Sequence, residues 1–395
     1  MGDIDAGEAS MRRIAVLTPG PRTHVGNTSA RFLRGVYDFF RPSLPWSIRT
    51  GPDALEPAMI LRWQPDGVIV WSEVPALVDA LAVAGIPMVT ALSEDPVAPP
   101  AVAIDEEAIG AAAAHHLLDQ GWERFGCTGN APYVRSQRRK RGFVDTLTTA
   151  GFACDIYQRE RFGYTPRTAG DWAEASRRSQ AWIMELDRPA AVFATDDYTG
   201  YLFLDAIIRT GLHVPGDIAL IAAHNDISLC EMSHPALSSV DVPYRRAGWE
   251  AARRLHDLIR DGVCDEDCVL APLDIVERES TDRVPRTDEL ARAALAFIRE
   301  HLAEPINVET LLIELGVSRR TLETRFRNVL GHSPLREIHR QRVRLGRRYL
   351  QQGNRSIEVI ARLTGFASAE RFREAFRRET GVNPSDYSDS HTWSA

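Results

Sequence analysis

Two groups of side chains near the end of the chain have the chemistry needed to hydrogen-bond to nucleic-acid bases. The first group is Arg319, Arg320, Glu323 and Thr324, and the second is Ser368, Glu370, Arg371 and Glu374. Arginine can pair with guanine through two hydrogen bonds, glutamate can accept one from cytosine, and threonine can contact the thymine methyl group. Any one of these side chains could instead contact phosphate, which positions a protein without reading sequence.

The two groups occupy equivalent places in a pattern that occurs twice. An apolar stripe at helical spacing ends at a glycine, and a second stripe follows a short turn. The first copy has Val308, Leu311, Leu312, Leu315, Gly316, Ser318, Leu322 and Phe326, and the second has Ile357, Ile360, Ala361, Gly365, Ser368, Phe372 and Phe376. Each copy ends in Ser-Pro or Asn-Pro, a pair typical of a helix start. Two helix-turn-helix units are therefore predicted, at about 307–330 and 356–380.

The segment that contains both copies is basic. From Val284 to Ala395 there are 19 arginines and 14 acidic residues, a net charge of +5, whereas the whole chain carries −7. Arg325 is one of the clustered arginines and a further candidate contact. Because phosphate neutralisation supplies most non-specific DNA affinity, a cationic segment on an acidic chain favours DNA binding. The alternative is a solvated helical bundle whose arginines pair with its glutamates.

Residues 288–390 resemble the AraC-type DNA-binding module, in which two helix-turn-helix units are joined by one long helix. The matching residues are Arg342-Val343-x-x-Gly346, Leu350, Ile357, Ile360-Ala361, Gly365-Phe366, Phe372, Phe376, Gly381, Pro384 and Tyr387. The resemblance implies a partner, double-stranded operator DNA, and base contacts at Arg320, Glu323, Thr324, Glu370 and Arg371. It also implies a linking helix near Pro334–Gln351, with Leu335, Ile338, Val343, Leu345 and Leu350 on its apolar side. The two recognition helices would enter successive major grooves.

The first 283 residues alternate short apolar runs with amphipathic helices. Strands are predicted at Arg12–Leu17, Asp66–Trp71 and Pro87–Thr90, and helices near Ala30–Phe40 and Pro75–Ala84. This alternation is typical of a parallel sheet covered by helices on both faces. Because the segment is longer than one such domain usually needs, we predict two lobes.

Residues 12–280 resemble the effector domain of LacI-type regulators and sugar-binding periplasmic proteins. The matching segments are Val102-Ala103-Ile104-Asp105, Gly110, His116-Leu117, Arg139-x-x-Gly142-Phe143, Thr195-Asp196, Gly211-x-x-Val214-Pro215-x-Asp217-Ile218 and Pro235-x-Leu237-Ser238-Ser239-Val240. The order of parts resembles the xylose-operon activators. The fold class expected is a two-lobed α/β periplasmic-binding-protein-like domain with doubly wound parallel sheets, followed by an all-α double helix-turn-helix domain. A disordered segment at 1–11 and a linker at 281–287 complete the predicted organisation.

Small polar ligands need convergent donors and acceptors at strand carboxyl ends, between two lobes. The candidate ligand-binding residues are Asp105, Arg139, Thr195, Asp196, His224 and Asp226. The family's glycine-x-aspartate pair is absent, so His224 replaces a sugar-binding carboxylate unless Asn225 or Asp226 takes its role. His224 can equally be an ordinary buried histidine. We expect Arg139 on one lobe and Thr195, Asp196 and His224 on the other, converging when the lobes close.

These patterns predict a ligand-responsive, sequence-specific transcriptional regulator, an activator of a sugar operon for a xylose-like pentose. The resemblance implies a homodimer formed through the effector domain, with RNA polymerase as a partner of an activator. No signal peptide or membrane-spanning run is visible, which predicts a cytoplasmic protein. We expect no catalysis, cofactor or metal, and Cys264-x-x-x-Cys268 is interpreted as reduced thiols. The alternatives are a regulator of another small polar ligand, an exported sugar receptor, and an enzyme on a doubly wound scaffold.

Overall fold

The computed structural model describes most of the chain in two compact units, Met1–Asp282 and Arg283–Ala395. The described residues are 11–18, 26–40, 44–52, 57–71, 75–92, 101–130, 133–159, 169–264, 267–282, 288–351, 355–380 and 382–389. Residues 1–10 of the segment predicted to be disordered, and 283–287 of the predicted linker, lie outside these ranges.

The first lobe of the first unit is built on a six-stranded, fully parallel sheet with the order β11-β5-β4-β3-β1-β2. Its strands are β1 (Arg12–Thr18), β2 (Trp46–Pro52), β3 (Gly67–Val70), β4 (Met88–Ala91), β5 (Ala101–Ile104) and β11 (Cys268–Leu270). Its helices are α1 (Gly26–Phe40), α2 (Pro57–Arg62), α3 (Pro75–Val83) and α9 (Tyr244–Asp261). Side chains of α1 and α9 cover one face of the sheet, and those of α2 and α3 cover the other.

The second lobe has its own six-stranded sheet, with the order β12-β10-β9-β8-β6-β7 and only β12 antiparallel. Its strands are β6 (Phe125–Asn130), β7 (Cys154–Arg159), β8 (Ala190–Ala194), β9 (Ile218–His224), β10 (Ser238–Asp241) and β12 (Ile275–Val276). Its helices are α4 (Glu106–Asp119), α5 (Val134–Thr149), α6 (Ala169–Glu185), α7 (Asp197–Arg209) and α8 (Ile227–Met232). The chain crosses between the lobes after β5, β10 and β11.

The predicted fold class is confirmed, because both lobes contain doubly wound parallel sheets. The strands β3, β8 and β9 are near-continuous apolar runs, as expected where helices cover both faces of a parallel sheet. The three predicted strands are present as β1, β3 and β4, with ends that differ by at most one residue.

One predicted boundary is wrong. A 3₁₀ turn at Glu279–Thr281 follows β12, and both Ser280 and Thr281 are completely buried. The Ser280 hydroxyl donates to the main-chain oxygen of Leu220 at 2.6 Å, and the Thr281 hydroxyl lies 2.7 Å from that of Ser238. Residue 281 is therefore part of the second lobe and not of a linker.

Glycine allows an unusually close approach of two helices in each lobe. A Cβ atom on Gly142 would lie 1.9 Å from a main-chain oxygen of α4, and one on Gly110 would lie 1.9 Å from a main-chain oxygen of α5. The helices α1 and α9 meet in the same way, at Gly35 and Gly248. These distances exclude any side chain, so the two contacts explain why glycine occupies these positions.

The described part of the second unit is entirely helical. Its helices are α10 (Glu289–Glu300), α11 (Val308–Leu315), α12 (Arg319–Leu330), α13 (Pro334–Gln351), α14 (Ile357–Leu363), α15 (Ala369–Thr380) and α16 (Pro384–Asp389). The pairs α11–α12 and α14–α15 are the two helix-turn-helix units. Their turns contain Gly316 and Gly365 with φ of 63° and 72°, a region that favours glycine. The Ser318 and Ser368 hydroxyls accept main-chain hydrogen bonds at the starts of the second helices.

The long helix α13 contributes to two separate apolar cores. Ile338 packs in the core of the first helix-turn-helix unit, whereas Val343 and Leu350 pack in that of the second. Leu345 is half-buried. The prediction that Leu335 lies on the apolar side is wrong. This side chain is 47% exposed, because it borders a cavity between the two helix-turn-helix units instead of packing in either core.

The described residues contain no helix that is both long and apolar enough to cross a membrane. Nor does this part of the chain bring together three or more His, Cys, Asp or Glu side chains that could hold a metal ion. All five cysteines are described, and none is in a disulfide.

We predict that Gly142→Ala destabilises the first unit, because the new methyl group would force α4 and α5 apart. Overpacking of this kind costs about 1–3 kcal/mol of unfolding free energy. Chemical denaturation of the full chain measures the effect. Gly216→Ala is the control, since its nearest neighbouring atom would lie 3.7 Å away. Equal effects of the two substitutions would contradict the close-packing argument.

Candidate functional site

The two sheets each contain one point where the strand order reverses. In the first lobe this point lies between β1 and β3, and in the second between β6 and β8. Loops leave the two adjacent strands in opposite directions there, which opens a crevice at the carboxyl ends where α/β proteins bind ligands. Trp71 directly follows β3, and Thr195 and Asp196 directly follow β8. The candidate site is therefore defined by these two carboxyl edges.

Arg139 was predicted to lie on the lobe opposite Thr195, Asp196 and His224, and this prediction is wrong. It lies on α5, which covers the same sheet that carries those three residues, because α5 directly follows β6 of that sheet. Its Nη1 donates to the main-chain oxygen of Thr195 at 2.8 Å. The structure thus brings these predicted residues together within the second lobe, without any movement of the lobes.

Arg139 is 2% exposed and forms a buried ion pair. Its Nε donates to Glu106 Oε2 at 2.6 Å, and its guanidinium also hydrogen-bonds to the Tyr244 hydroxyl. Burial alone would lower the pKa of Arg139, but the Glu106 carboxylate and Tyr244 raise it above its ordinary value. The guanidinium therefore stays charged and joins α4, α5, β8 and α9.

Three of the predicted ligand-binding carboxylates cap helices. Asp105 accepts a hydrogen bond from the main-chain N–H of Ala108 at the start of α4, and Asp226 accepts one from that of Ser228 at the start of α8. Asp196 uses both oxygens on Thr199, at 2.8 Å each. A carboxylate has about four acceptor positions, so a capping aspartate can still accept from a ligand hydroxyl. Because these helices follow strands at the site, capping also fixes where the carboxylates lie.

His224 ends β9 with a φ of 113° and is half-buried. Its ring contacts the Tyr244 ring edge-on, with 5.7 Å between centroids. Burial lowers the pKa of His224 well below its ordinary range, and the charges of Arg139, Arg135 and Arg31 lower it further. A neutral imidazole offers one donor and one acceptor, whereas the carboxylate expected here would only accept.

Asp197 is a site residue that sequence reasoning missed. Its carboxylate accepts hydrogen bonds from the Ser239 hydroxyl and from the main-chain N–H of Asp226, both at 2.6 Å. The Ser239 hydroxyl in turn accepts from the N–H of Asn225, whose φ is 52°. Asp197 therefore holds the left-handed loop that contains His224. Its position beside Asp196 was the signal that could have identified it.

Arg31 connects the two lobes and was also missed. It lies on α1 of the first lobe, and its Nη1 donates to the main-chain oxygen of His224 at 2.7 Å. Its Nη2 donates to Asp241 Oδ1 at 2.6 Å and to the main-chain oxygen of Val242 at 2.8 Å. These partners are separated from Arg31 by 193 to 211 positions, so no local motif marks them.

The predicted DNA-contacting residues lie on the second helix of each helix-turn-helix unit or at its N-cap. Exposed residues are Arg319, Arg320, Thr324, Arg325, Ser368, Glu370, Arg371 and Glu374, and Glu323 is half-buried. Three of the arginines form ion pairs: Arg319 with Glu309 and Glu323, Arg325 with Asp288, and Arg371 with Glu374. Arg320 forms none with the described residues. It is therefore the most available candidate for reading a base.

Arg342 ties the two helix-turn-helix units together. From α13 it donates to the main-chain oxygens of Leu302, Glu304 and Ile306, which precede the first helix-turn-helix unit. A Cβ atom at Gly365, in the turn of the second helix-turn-helix unit, would lie 2.7 Å from the same Glu304 oxygen. The segment between α10 and α11 and the turn between α14 and α15 are thus packed around one guanidinium. They lie beside a cavity of about 670 Å³ that Arg371 and Arg378 also line.

We predict that Asp197 makes stability depend on pH near neutrality. Burial raises the pKa of Asp197 from 3.8 to about 7. Between these values the folded protein binds a proton that the unfolded chain lacks, so this contribution is present at low pH and is lost as pH rises toward 7. Thermal melts from pH 5 to pH 8 should show the wild type losing stability relative to Asp197→Asn. The opposite dependence of His224 is common to both proteins and cancels, and a constant difference would contradict the assignment.

Two family models match the chain. A periplasmic binding protein-like domain matches residues 114–281, and a helix-turn-helix domain matches residues 311–390. The chain is 27% identical to the xylose operon regulatory protein of Escherichia coli K12, over 84% of this chain and 85% of that protein. It is 26% identical to the protein of the same name from Haemophilus influenzae, over 73% and 74%.

A solved structure described as the xylose-binding transcription activator xylR matches across nearly the whole chain. It covers 97% of this chain and 99% of its own, with 25% identity and a TM-score of 0.60. Both parts of the present chain thus occur in the same order in one homologous protein. The chain contains a periplasmic-binding-protein-like domain and a helix-turn-helix domain of the AraC type, and it is homologous to the xylose operon regulatory proteins.

Proposed function

We propose that this regulator is an activator of a sugar catabolic operon, that its effector is a xylose-like pentose, and that the effector binds at the two carboxyl edges of the first unit. The observation that carries the proposal is the match over 97% of the chain to an activator described as xylose-binding. The hydrogen-bonded polar groups at the carboxyl edges, of which Arg139, Thr195 and Asp196 are buried, suit a small polyhydroxylated ligand.

In this proposal Asp105, Asp196 and Asp226 accept hydrogen bonds from sugar hydroxyls, and Thr195 contributes its hydroxyl. Arg139 and His224 complete the site. Because His224 is neutral and supplies a donor where the family has a carboxylate, the hydroxyl pattern that the site selects differs from that of its relatives. A different small polar effector is the alternative that a ligand screen would reveal.

The ligand changes DNA affinity only if it binds two states of the protein unequally, with a coupling of about 1–3 kcal/mol. Lobe movement supplies such states, since Arg31 and Tyr244 of the first lobe contact the second lobe around the site. We propose that the regulator acts as a cytoplasmic homodimer formed through the first unit. The ligand would then change how two DNA-binding units are presented to the operator and to RNA polymerase.

We predict that Arg320→Ala relaxes specificity at one base pair, at a cost of about 1–3 kcal/mol in operator binding. Arg320 is exposed in the first turn of α12 and is not held by an ion pair within the described residues. Arg344→Ala, on α13, should weaken binding to all sequences alike. The measurement is binding to a selected operator and its single-base-pair variants. A uniform loss for Arg320→Ala would place that side chain on phosphate.

We predict that Asp196→Ser abolishes the response to sugar, while the ligand-free protein stays folded at a cost of about 1–3 kcal/mol for the buried Thr199 hydroxyl that loses its acceptor. Serine keeps the N-cap acceptor of α7 but removes the charge and the second oxygen. Thermal shifts with pentoses, hexoses and polyols, together with operator binding, measure the response. Asp288→Ser makes the same change at the N-cap of α10, in the other unit, and should keep the sugar shift. If no sugar stabilises the wild type, the proposed effector class is wrong.

A further inference from the structure

Trp71 has a buried donor without an acceptor. The side chain is completely buried, and its indole Nε1 has no hydrogen-bond partner among the described residues. More than about nine in ten buried polar groups in folded proteins are hydrogen-bonded. An indole N–H that is removed from water without a partner opposes folding, so its retention here calls for an acceptor that the free chain lacks.

The position of Trp71 is that of a ligand-binding residue. It follows β3 directly, at the carboxyl edge and beside the point where the strand order of the first lobe reverses. Such points are where ligands of open α/β sheets bind. The predicted ligand-binding residues after the strands of the second lobe occupy the equivalent edge of the other sheet. Trp71 therefore supplies the first lobe with a polar group at the same site.

The neighbours of Trp71 connect it to that site. Its ring stacks on Tyr244, with 5.8 Å between centroids and 12° between planes, and meets the edge of Phe32 at 5.5 Å. Tyr244 hydrogen-bonds to Arg139 and contacts the ring of His224. One aromatic stack thus runs from the carboxyl edge of the first sheet to the guanidinium and imidazole of the second lobe.

We propose that Trp71 contacts the effector directly, and that its indole N–H donates a hydrogen bond to an oxygen of a bound monosaccharide. This inference rests on the proposed function. A sugar supplies acceptor oxygens beside apolar C–H groups, which matches a single donor set in an aromatic stack. With His224 in place of a carboxylate, Trp71 adds a second neutral donor, so the site favours a ligand that presents acceptor oxygens.

Trp71→Phe removes the donor and keeps an aromatic ring. Trp46→Phe is the matched control, because Trp46 is also buried but begins β2, at the opposite end of the same sheet. Without ligand, Trp71→Phe should unfold at a temperature no lower than Trp46→Phe, since it loses a donor that has no partner. A clearly lower melting temperature for Trp71→Phe would show that the N–H is satisfied within the protein and would overturn the proposal.

Binding of D-xylose, then of L-arabinose, D-ribose and D-glucose, is measured by calorimetry on the full-length proteins. For the sugar that binds the wild type, Trp71→Phe should bind about 3- to 10-fold more weakly, the effect of one hydrogen bond. Trp46→Phe should bind as the wild type does.

The outcomes separate the two proposals. If the wild type binds a sugar and Trp71→Phe binds it equally well, the assignment of Trp71 is wrong and the sugar-responsive function stands. If the wild type binds none of the four sugars, the proposed effector class is wrong, and the contact to a monosaccharide is wrong with it.

Discussion

The first unit, Met1–Asp282, depends on the interactions of the buried Arg139 guanidinium. This guanidinium pairs with Glu106 of α4, and it donates to the main chain at the end of β8. An unpaired buried charge is strongly destabilising, so all these groups must stay in place together. The pair forms only because Gly110 and Gly142 let α4 and α5 come close. The packing of α4 on α5, the position of the end of β8 and the charge of Arg139 at the site therefore depend on one another.

In the second unit, Arg342 is a buried arginine that likewise joins several elements. Burial lowers the pKa of this guanidinium, and none of the described carboxylates forms an ion pair with it. Main-chain oxygens before the first helix-turn-helix unit accept its hydrogen bonds instead. Since α13 belongs to both apolar cores, α12 and α15 are held in position by one helix and one side chain. In both units a single arginine at the junction of several elements holds the functional residues in position.

Much of this organisation could be predicted because it depends on local periodicity and short motifs. The apolar stripes, the glycine turns and the Ser-Pro start of α13 mark the helix-turn-helix units, and α13 has the predicted bounds. The aspartates after strands were found as well, but their capping of α4, α7 and α8 was not. A carboxylate after a strand serves a helix start as readily as a ligand, and the residue type alone does not distinguish the two.

The sequence by itself determined the two kinds of domain, the two helix-turn-helix units and the polar residues that end the strands, since each follows from spacing within one or two elements. Only the tertiary structure decided which residues meet. It placed Arg139 on the same lobe as Thr195, brought Arg31 to His224 across 193 positions, and left the indole N–H of Trp71 without a partner in the described residues. Contacts of this kind arise where three crossovers bring two separate sheets together. Because they join residues that are far apart in sequence, periodicity along the chain does not predict them.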